Sequence, residues 1–302
     1  MLLSHDFKVN GPFDLSFPLV QRFISETNLI SYFNIEDGEI NRIRDWLELS
    51  DQNKVIKIDT FDPPPFENLQ EIVAQYPNRL KIIGAGDYCY WIICCGFYFK
   101  TYTVNEVFPV SFDYNYLCYQ RKMNEHRIVL YDALKDVSKG IITRGDQQYD
   151  FNQNQFHNQH SLVTFVTNDI LSLGNMDIWN RSFLNIVSET GQSYFNPVFL
   201  SEKTFKPIIG MRPFLSYGHY QIGEKLKSLG FETFDEDFGY SPSINDHENA
   251  GQLRDILSQL DNLDKLYDKL YPKILHNKNH FKTAYRNELD RLDDLVDQCR
   301  NW

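Results

Sequence analysis

Short β-branched runs alternate along the chain with stretches whose apolar residues recur at helical spacing. Residues 54–59 predict a strand, residues 66–75 predict a helix, and residues 79–83 predict the next strand. Alternation of this kind builds parallel sheets, whose ligands bind at the carboxyl ends of the strands. Asp59 and Asp87 each follow a predicted strand, so we expect both carboxylates at such an edge.

A second alternating series begins near residue 107. It predicts strands over 112–119, 183–187 and 213–217 and helices over 124–137, 202–209 and 220–229. Leucines at helical spacing predict further helices from residue 251 onward. The simplest architecture is therefore two α/β units joined near residues 100–110, with the cleft between them as the expected ligand site.

Two prolines fall inside segments with helical spacing. A proline in a helix interior costs roughly 3 kcal/mol, because it removes an N–H donor and crowds the preceding turn. We therefore expect either a kink at Pro207 or a helix that begins nearer Lys206. For the same reason, the C-terminal helical segment is expected to be interrupted at Pro272.

The composition is that of a globular chain with little attraction to polyanions. Its longest uncharged apolar run, residues 88–99, is shorter than the roughly 20 residues of a membrane helix, so no membrane span is expected. The net charge of −11 does not favour nucleic acid as a partner. The five cysteines are an odd number without a CxxC pair, and the N-terminus resembles no secretory signal, so we expect a cytoplasmic protein.

The most informative stretch contains a polar helix start directly after a predicted strand. Glu189 lies at the carboxyl end of that strand, and Ser201, Glu202 and Lys203 lie at the start of the next helix. A helix start offers unpaired N–H groups and the positive end of the dipole, so Lys203 beside it suits a diphosphate. The carboxylate of Glu202 can accept two hydrogen bonds from a ribose diol. We expect these four residues to bind a nucleotide.

The motifs of this stretch resemble the donor-nucleotide segment of GT-B glycosyltransferases. The motifs are Ser-Glu-Lys-Thr-Phe-Lys-Pro-Ile at 201–208, Arg-Pro-Phe-Leu at 212–215 and Leu-Lys-Ser-Leu-Gly-Phe-Glu-Thr-Phe at 226–234. They are similar to the fucosyltransferase-like and exostosin-like groups and to glycosyltransferases of phages and large viruses. The resemblance covers residues 183–240 and extends weakly back to about residue 112.

This resemblance implies two Rossmann-like domains that face a cleft, in the GT-B manner, with C-terminal helices. Residues 1–106 would form the acceptor-side domain, residues 107–250 would bind the nucleotide sugar, and residues 251–302 would form helices packing on both. In fucosyltransferase-like enzymes a Glu-Lys pair contacts the ribose and the diphosphate, and Glu202 and Lys203 match that pair. The sequence departs from the family at Arg212-Pro213, where small apolar residues are common.

Cationic side chains also cluster where the predicted strand over 112–119 leads into a helix. They are Arg121, Lys122, His126 and Arg127. Because the helix dipole disfavours cations at an N-terminus, this cluster indicates an anionic ligand. The resemblance implies that an arginine on a comparable turn meets the diphosphate, and Arg121 or Arg127 matches it. The alternative is a set of surface charges paired with Glu125 and Asp132.

Fixed cations can stabilise the charge on a leaving nucleoside diphosphate, so no metal is expected. Residues 235–237 have the Asp-x-Asp form of metal-dependent glycosyltransferases, but acidic strings are common in a chain this acidic. His157 and His160 have the spacing of metal ligands, but they lie in an amide-rich segment without nearby cysteines, so a metal site there is not favoured. If the reaction inverts the sugar carbon, a catalytic base for the acceptor hydroxyl would come from Asp59 or Asp87, with Glu67 behind them. The alternative is that each of these residues is a cap or turn residue.

The sequence thus predicts a glycosyltransferase that moves a sugar from a nucleotide diphosphate to an acceptor hydroxyl. The acceptor classes left open are a glycan, a lipid, a protein and a modified DNA base, of which the DNA is not favoured by the net charge of −11. If the chain is viral, its compartment is the host cytoplasm. Two alternatives remain: a nucleotide-dependent transferase that does not move a sugar, and a nucleotide- or sugar-binding module without turnover.

Overall fold

The chain divides into two compact units. The computed structural model describes residues 44–45, 47–51, 55–58, 71, 74–83, 95, 111–120, 123–144, 173–174, 176–189, 198 and 200–300. The first unit comprises Met1–Cys94 together with Arg286–Trp302, and the second comprises Cys95–Tyr285. The boundary predicted near residue 106 lies outside the described residues.

Two parallel strands are described in the first unit. Strand β1 (Val55–Ile58) pairs with β2 (Leu80–Ile83), and the register runs from Val55 opposite Leu80 to Ile58 opposite Ile83. The two strands coincide with the β-branched runs of the sequence, so the prediction of parallel strands here is confirmed.

A four-stranded parallel sheet forms the centre of the second unit. Its strands are β3 (Tyr114–Cys118), β4 (Gly140–Ile142), β5 (Ser182–Ser188) and β6 (Phe214–Tyr217). They pair in the order β4-β3-β5-β6, and every pairing is parallel. The protein is therefore a mixed α/β protein with a parallel sheet, as the alternation of the sequence predicts.

Helices connect and cover these strands. They are α1 (Glu125–Leu134), α2 (Met176–Arg181), α3 (Glu202–Ile209), α4 (Ile222–Ser228), α5 (Asp235–Phe238), α6 (Asp246–Ser258) and α7 (Leu263–Arg300). Helix α3 begins at Glu202 and contains Pro207 in its last turn, so the alternative start nearer Lys206 is wrong. Helix α6 packs on α1, and α3 packs on β5. The side chain of Asn115 donates to the carbonyl of Leu257 and so ties β3 to the end of α6 (3.2 Å).

The predicted interruption at Pro272 is wrong, because α7 continues through this residue. On both sides of Pro272, apolar side chains of α7 are buried, at Tyr267, Leu270, Ile274 and Phe281. Burying a large apolar side chain contributes roughly 1.5–3 kcal/mol, so four of them offset the roughly 3 kcal/mol that a proline costs a helix. The helix keeps its course because packing outweighs local propensity.

The core of the second unit lies on both sides of β5, which is buried along its whole length. Phe205 from α3 and Leu130 from α1 are fully buried. Strand β4 approaches β3 so closely at Gly140 that a Cβ atom there would overlap the ring of Tyr116. That ring is held in place by a hydrogen bond from its hydroxyl to the carbonyl of Leu134 (2.8 Å). Within the part of the chain that the structure describes, no helix is both long and apolar enough to cross a membrane.

Candidate functional site

The chain reverses its direction of travel across the sheet between β3 and β5. Strand β3 leads through α1 to β4 on one side, whereas β5 leads through α3 to β6 on the other. Ligands of open parallel sheets bind outside the carboxyl ends of the strands at such a switch point. The residues that follow β3 and β5 therefore define the candidate site.

The first turn of α1 is bonded to the end of β5. The ring Nε2 of His126 donates to the carbonyl of Glu189 (3.0 Å), and the guanidinium of Arg127 donates to the carbonyl of Ser188 (2.9 Å). Both side chains are buried, at 2% and 3% exposure. These bonds place the N-terminus of α1 directly at the switch point.

The first turn of α3 is bonded to the same end of β5 through the side chain of Glu189. Its carboxylate accepts hydrogen bonds from the Ser201 amide (2.9 Å), the Ser201 hydroxyl (2.6 Å) and the Thr204 hydroxyl (2.6 Å). Ser201 is also the N-cap of α3, since its hydroxyl oxygen accepts from the amide of Lys203 (3.3 Å). The starts of α1 and α3 thus converge on residues 188–189.

Lys203 is the more exposed member of an ion pair at the start of α3. Its ammonium group donates to Glu202 Oε1 (2.7 Å) and to the Ser201 hydroxyl (3.2 Å), and its side chain is 27% exposed. Burial alone would raise the pKa of the Glu202 carboxyl, but Lys203 and Lys206 hold it below its usual value. An ionised Glu202 therefore fixes the position of the Lys203 ammonium, which has three N–H donors.

Two buried acceptor atoms at the switch point have no partner among the described residues. The amide of Gln120 donates to the Ser188 hydroxyl (3.4 Å), but its Oε1 accepts no hydrogen bond there. The Nδ1 atom of His126 is likewise without a donor. Burial lowers the pKa of His126, which favours the neutral ring and leaves Nδ1 as an acceptor. Buried polar groups in folded proteins nearly always have a hydrogen-bond partner, which a bound ligand or a water molecule can provide.

The turn after β6 reaches the same edge of the sheet. The amide of Glu189 donates to the carbonyl of Tyr217 (2.9 Å), so the turn that starts at Gly218 lies beside the end of β5. In this turn the rings of His219 and Tyr220 stack with centroids 4.9 Å apart and an interplanar angle of 19°. Gly218 has φ of 155°, a backbone conformation that favours glycine.

The structure brings together five of the predicted site residues. Arg127, Glu189, Ser201, Glu202 and Lys203 all lie at the carboxyl edge of β5. The other three predicted residues, Asp59, Asp87 and Arg121, lie outside the described residues, as do Lys122 and Glu67.

The sequence predicts that Glu189 contacts a nucleotide, but its carboxylate binds the protein itself. It is 1% exposed, and its two oxygens accept three protein hydrogen bonds. Glu189 therefore acts on the site through Ser201 and Thr204, by holding the start of α3 against β5.

The acidic string at 235–237 forms helix α5, where two of its carboxylates are engaged by lysines. Glu236 pairs with Lys227 (2.9 Å), and Asp237 pairs with Lys273 (2.7 Å). Across the described ranges, no group of three or more His, Cys, Asp or Glu side chains is placed to hold a metal ion. His157 and His160 lie outside these ranges.

Arg212, where the sequence departs from the family resemblance, binds the protein's own backbone. Its guanidinium is 2% exposed. It donates to the carbonyls of Trp179, Asn180, Ser182, Gly210 and Met211. These carbonyls lie at and just beyond the ends of α2 and α3, so Arg212 joins the two helix ends.

Sequence reasoning missed Gln120, Thr204, His219 and Tyr220. The rule that selected Asp59 and Asp87, a polar residue just past a strand, also applies to Gln120 and His219, which each follow their strand by two residues. Thr204 had no such signal, because its contact with Glu189 forms only when α3 packs against β5.

No protein-family model, no curated protein and no solved structure matches this chain.

Proposed function

We propose that the second unit binds a nucleoside diphosphate at the switch point and that the protein is a nucleotide-sugar-dependent glycosyltransferase. The observation that carries this proposal is the convergence of the starts of α1 and α3 on residues 188–189. Each helix start presents backbone N–H groups and the positive end of a dipole. Two such starts at one switch point suit a ligand with two linked phosphates.

Asn124 at the start of α1 supports this assignment. It is the N-cap residue, yet its side chain makes no capping hydrogen bond to the described residues. N-cap side chains normally accept from the second or third amide of a helix. An anion bound at α1 would take over that role. Gln120 Oε1 and His126 Nδ1 are acceptors close by, and they would suit the hydroxyl groups of a ribose or a sugar.

The positive charge for such a reaction comes from Arg127 and Lys203. Among the described residues, the Lys203 ammonium has two acceptor partners, which leaves one of its three donors for a phosphate oxygen. Cations held in place before the reaction stabilise the charge that develops on the leaving diphosphate. Transfer would then proceed without a divalent metal, since the positions of these cations are fixed by Ser188, Glu202 and Ser201.

The remaining parts of the proposal follow the family resemblance. The first unit, with its parallel strands β1 and β2, would be the acceptor-side Rossmann-like domain of a GT-B-like enzyme. Asp59 or Asp87 would take the proton of the acceptor hydroxyl as it attacks the anomeric carbon and the nucleoside diphosphate leaves. We propose an intracellular location, in the host cytoplasm if the chain is viral.

A turnover assay on the full chain tests the proposal. UDP-, GDP-, CDP- and ADP-sugars are incubated with the wild type, and release of the nucleoside diphosphate is measured. Removing one charge-stabilising donor from an active site costs about 10²–10³ in kcat, so Lys203→Ala should lower turnover by that factor. Lys227→Ala is the matched control, because it also removes a lysine paired with a glutamate, at the C-terminal end of α4.

Repeating the turnover assay with EDTA distinguishes a metal-independent mechanism from one that uses a divalent metal. In the Asp-x-Asp segment at 235–237, the carboxylates of Glu236 and Asp237 are paired with Lys227 and Lys273. EDTA should therefore leave turnover unchanged. Equal turnover by the wild type and Lys203→Ala would contradict the assigned role of Lys203. Binding of a nucleotide without any turnover would favour the binding module over the enzyme.

A further inference from the structure

The turn after β6 carries a stacked pair of rings that the diphosphate site leaves unexplained. Tyr220 is 37% exposed, and it is one of the few large apolar side chains exposed within the described part of the chain. One face of its ring is covered by His219 in a nearly parallel stack. Such a stack holds the tyrosine ring in one orientation while part of its surface remains open.

His219 is oriented by the backbone of its own turn. Its Nδ1 accepts from the amide of Gln221 (3.1 Å), so the neutral ring carries its proton on Nε2. Burial lowers the pKa of His219, which favours this neutral form. His219 is 6% exposed, and the described residues provide no acceptor for its Nε2. The turn thus offers an uncommitted N–H donor beside an aromatic ring.

This ring pair lies one strand away from the proposed diphosphate site. The hydrogen bond from the Glu189 amide to the Tyr217 carbonyl places the turn next to the residue that holds the start of α3. Neighbouring strands are about 4.8 Å apart. The turn after β6 is therefore within reach of a ribose and base attached to a diphosphate at α3.

We propose that Tyr220 and His219 bind the nucleobase of the donor, an inference that rests on the proposed function. The base stacks on the exposed surface of the Tyr220 ring, and His219 Nε2 donates to a carbonyl oxygen or ring nitrogen on the edge of the base. A nucleobase is the part of a nucleotide sugar that has both a flat aromatic face and acceptors at its edge. The sugar and the diphosphate have no aromatic face.

The test compares nucleotides with pyrophosphate, which shares the diphosphate group but has no base. UDP, GDP, CDP, ADP and pyrophosphate are titrated calorimetrically into the full-length wild type, Tyr220→Leu and Tyr220→Phe. Base stacking on an aromatic side chain contributes about 1–3 kcal/mol, so Tyr220→Leu should weaken nucleotide binding by roughly 5- to 150-fold. Tyr220→Phe keeps the ring and should bind nucleotides nearly as the wild type does. Pyrophosphate affinity should be the same in all three proteins.

Each other result overturns a specific part of the reasoning. Unchanged nucleotide affinity in Tyr220→Leu, or an equal loss for nucleotide and pyrophosphate, overturns the assignment of Tyr220 to the base and leaves the diphosphate site standing. A wild type that binds pyrophosphate no more weakly than any nucleotide overturns the base assignment as well. A wild type that binds none of the five ligands overturns the proposed function and this inference together. Thermal unfolding of the variants verifies that they are folded.

Discussion

The strongest structural prediction concerns Ser201, whose hydroxyl group links three parts of the candidate site. It donates to the buried carboxylate of Glu189 (2.6 Å) and accepts from both the amide and the ammonium group of Lys203 (3.3 and 3.2 Å). The substitution Ser201→Ala removes all of these contacts and leaves the backbone unchanged. Asn245→Ala is the matched control, since Asn245 is the N-cap of α6 and contacts only exposed helix amides through its side-chain oxygen.

The expected loss of stability follows from these contacts. Replacing an N-cap by alanine costs typically about 1 kcal/mol, which is the whole effect expected for Asn245→Ala. A hydrogen bond to a charged group contributes about 1.5–3 kcal/mol, and Ser201 makes one with the carboxylate of Glu189. Ser201→Ala should therefore lower the free energy of unfolding by about 2.5–4 kcal/mol, which exceeds the effect of the control by about 1.5–3 kcal/mol.

Urea unfolding of the full chain, followed by far-UV circular dichroism, measures both free energies. Ser201→Thr keeps the hydroxyl group and should recover most of the stability. If Ser201→Ala costs no more than Asn245→Ala, the hydroxyl does not bond the Glu189 carboxylate in solution. The start of α3 would then not be fixed at the end of β5 as described.

Two further stability predictions follow from buried charged groups. Arg212→Lys should lower the free energy of unfolding by about 3 kcal/mol or more, because an ammonium group has three donors whereas the guanidinium donates to five carbonyls. Urea unfolding measures this loss, and a value below about 1 kcal/mol would refute the reasoning. Burial raises the pKa of Asp235 to about 6 from 3.8, so the folded state favours the protonated carboxyl. The protonated Asp235 carboxyl is therefore compatible with the folded state below about pH 4, and the protein loses stability as this carboxyl ionises when the pH rises through 6. Asp235→Asn should therefore match the wild type at pH 4 and exceed it at pH 8 by at most about 3 kcal/mol, and a difference that does not change with pH would contradict the pKa of about 6.

Local features of the sequence were enough to predict the starts of α1 and α3 and the strands β3, β5 and β6 of the second unit. Asn124 and Ser201 are the N-caps that their residue types indicate. Strand β5 is mostly apolar and is buried along its whole length, as is usual for strands of parallel sheets. By contrast, β4 is only three residues long, and no periodicity can be read from so short a segment.

The order of the strands, and with it the switch point, could not be predicted from the sequence. Strand order depends on contacts between residues far apart in the chain, such as the pairing of Tyr114 with Ser182. The carboxyl-end rule selected the right edge of the sheet but not the role of each residue there. Glu189 illustrates this, because its position next to Ser201 and Thr204 decides that its carboxylate binds the protein.

Hydrogen–deuterium exchange of the full chain, with and without a saturating nucleoside diphosphate, tests the location of the site most directly. The proposal predicts slower exchange in peptides that contain residues 123–128 and residues 200–206, the starts of α1 and α3. Peptides from α6, which begins with its own capped N-terminus, should exchange at unchanged rates. Protection confined to other segments, with the starts of α1 and α3 unaffected, would contradict a diphosphate site at the switch point.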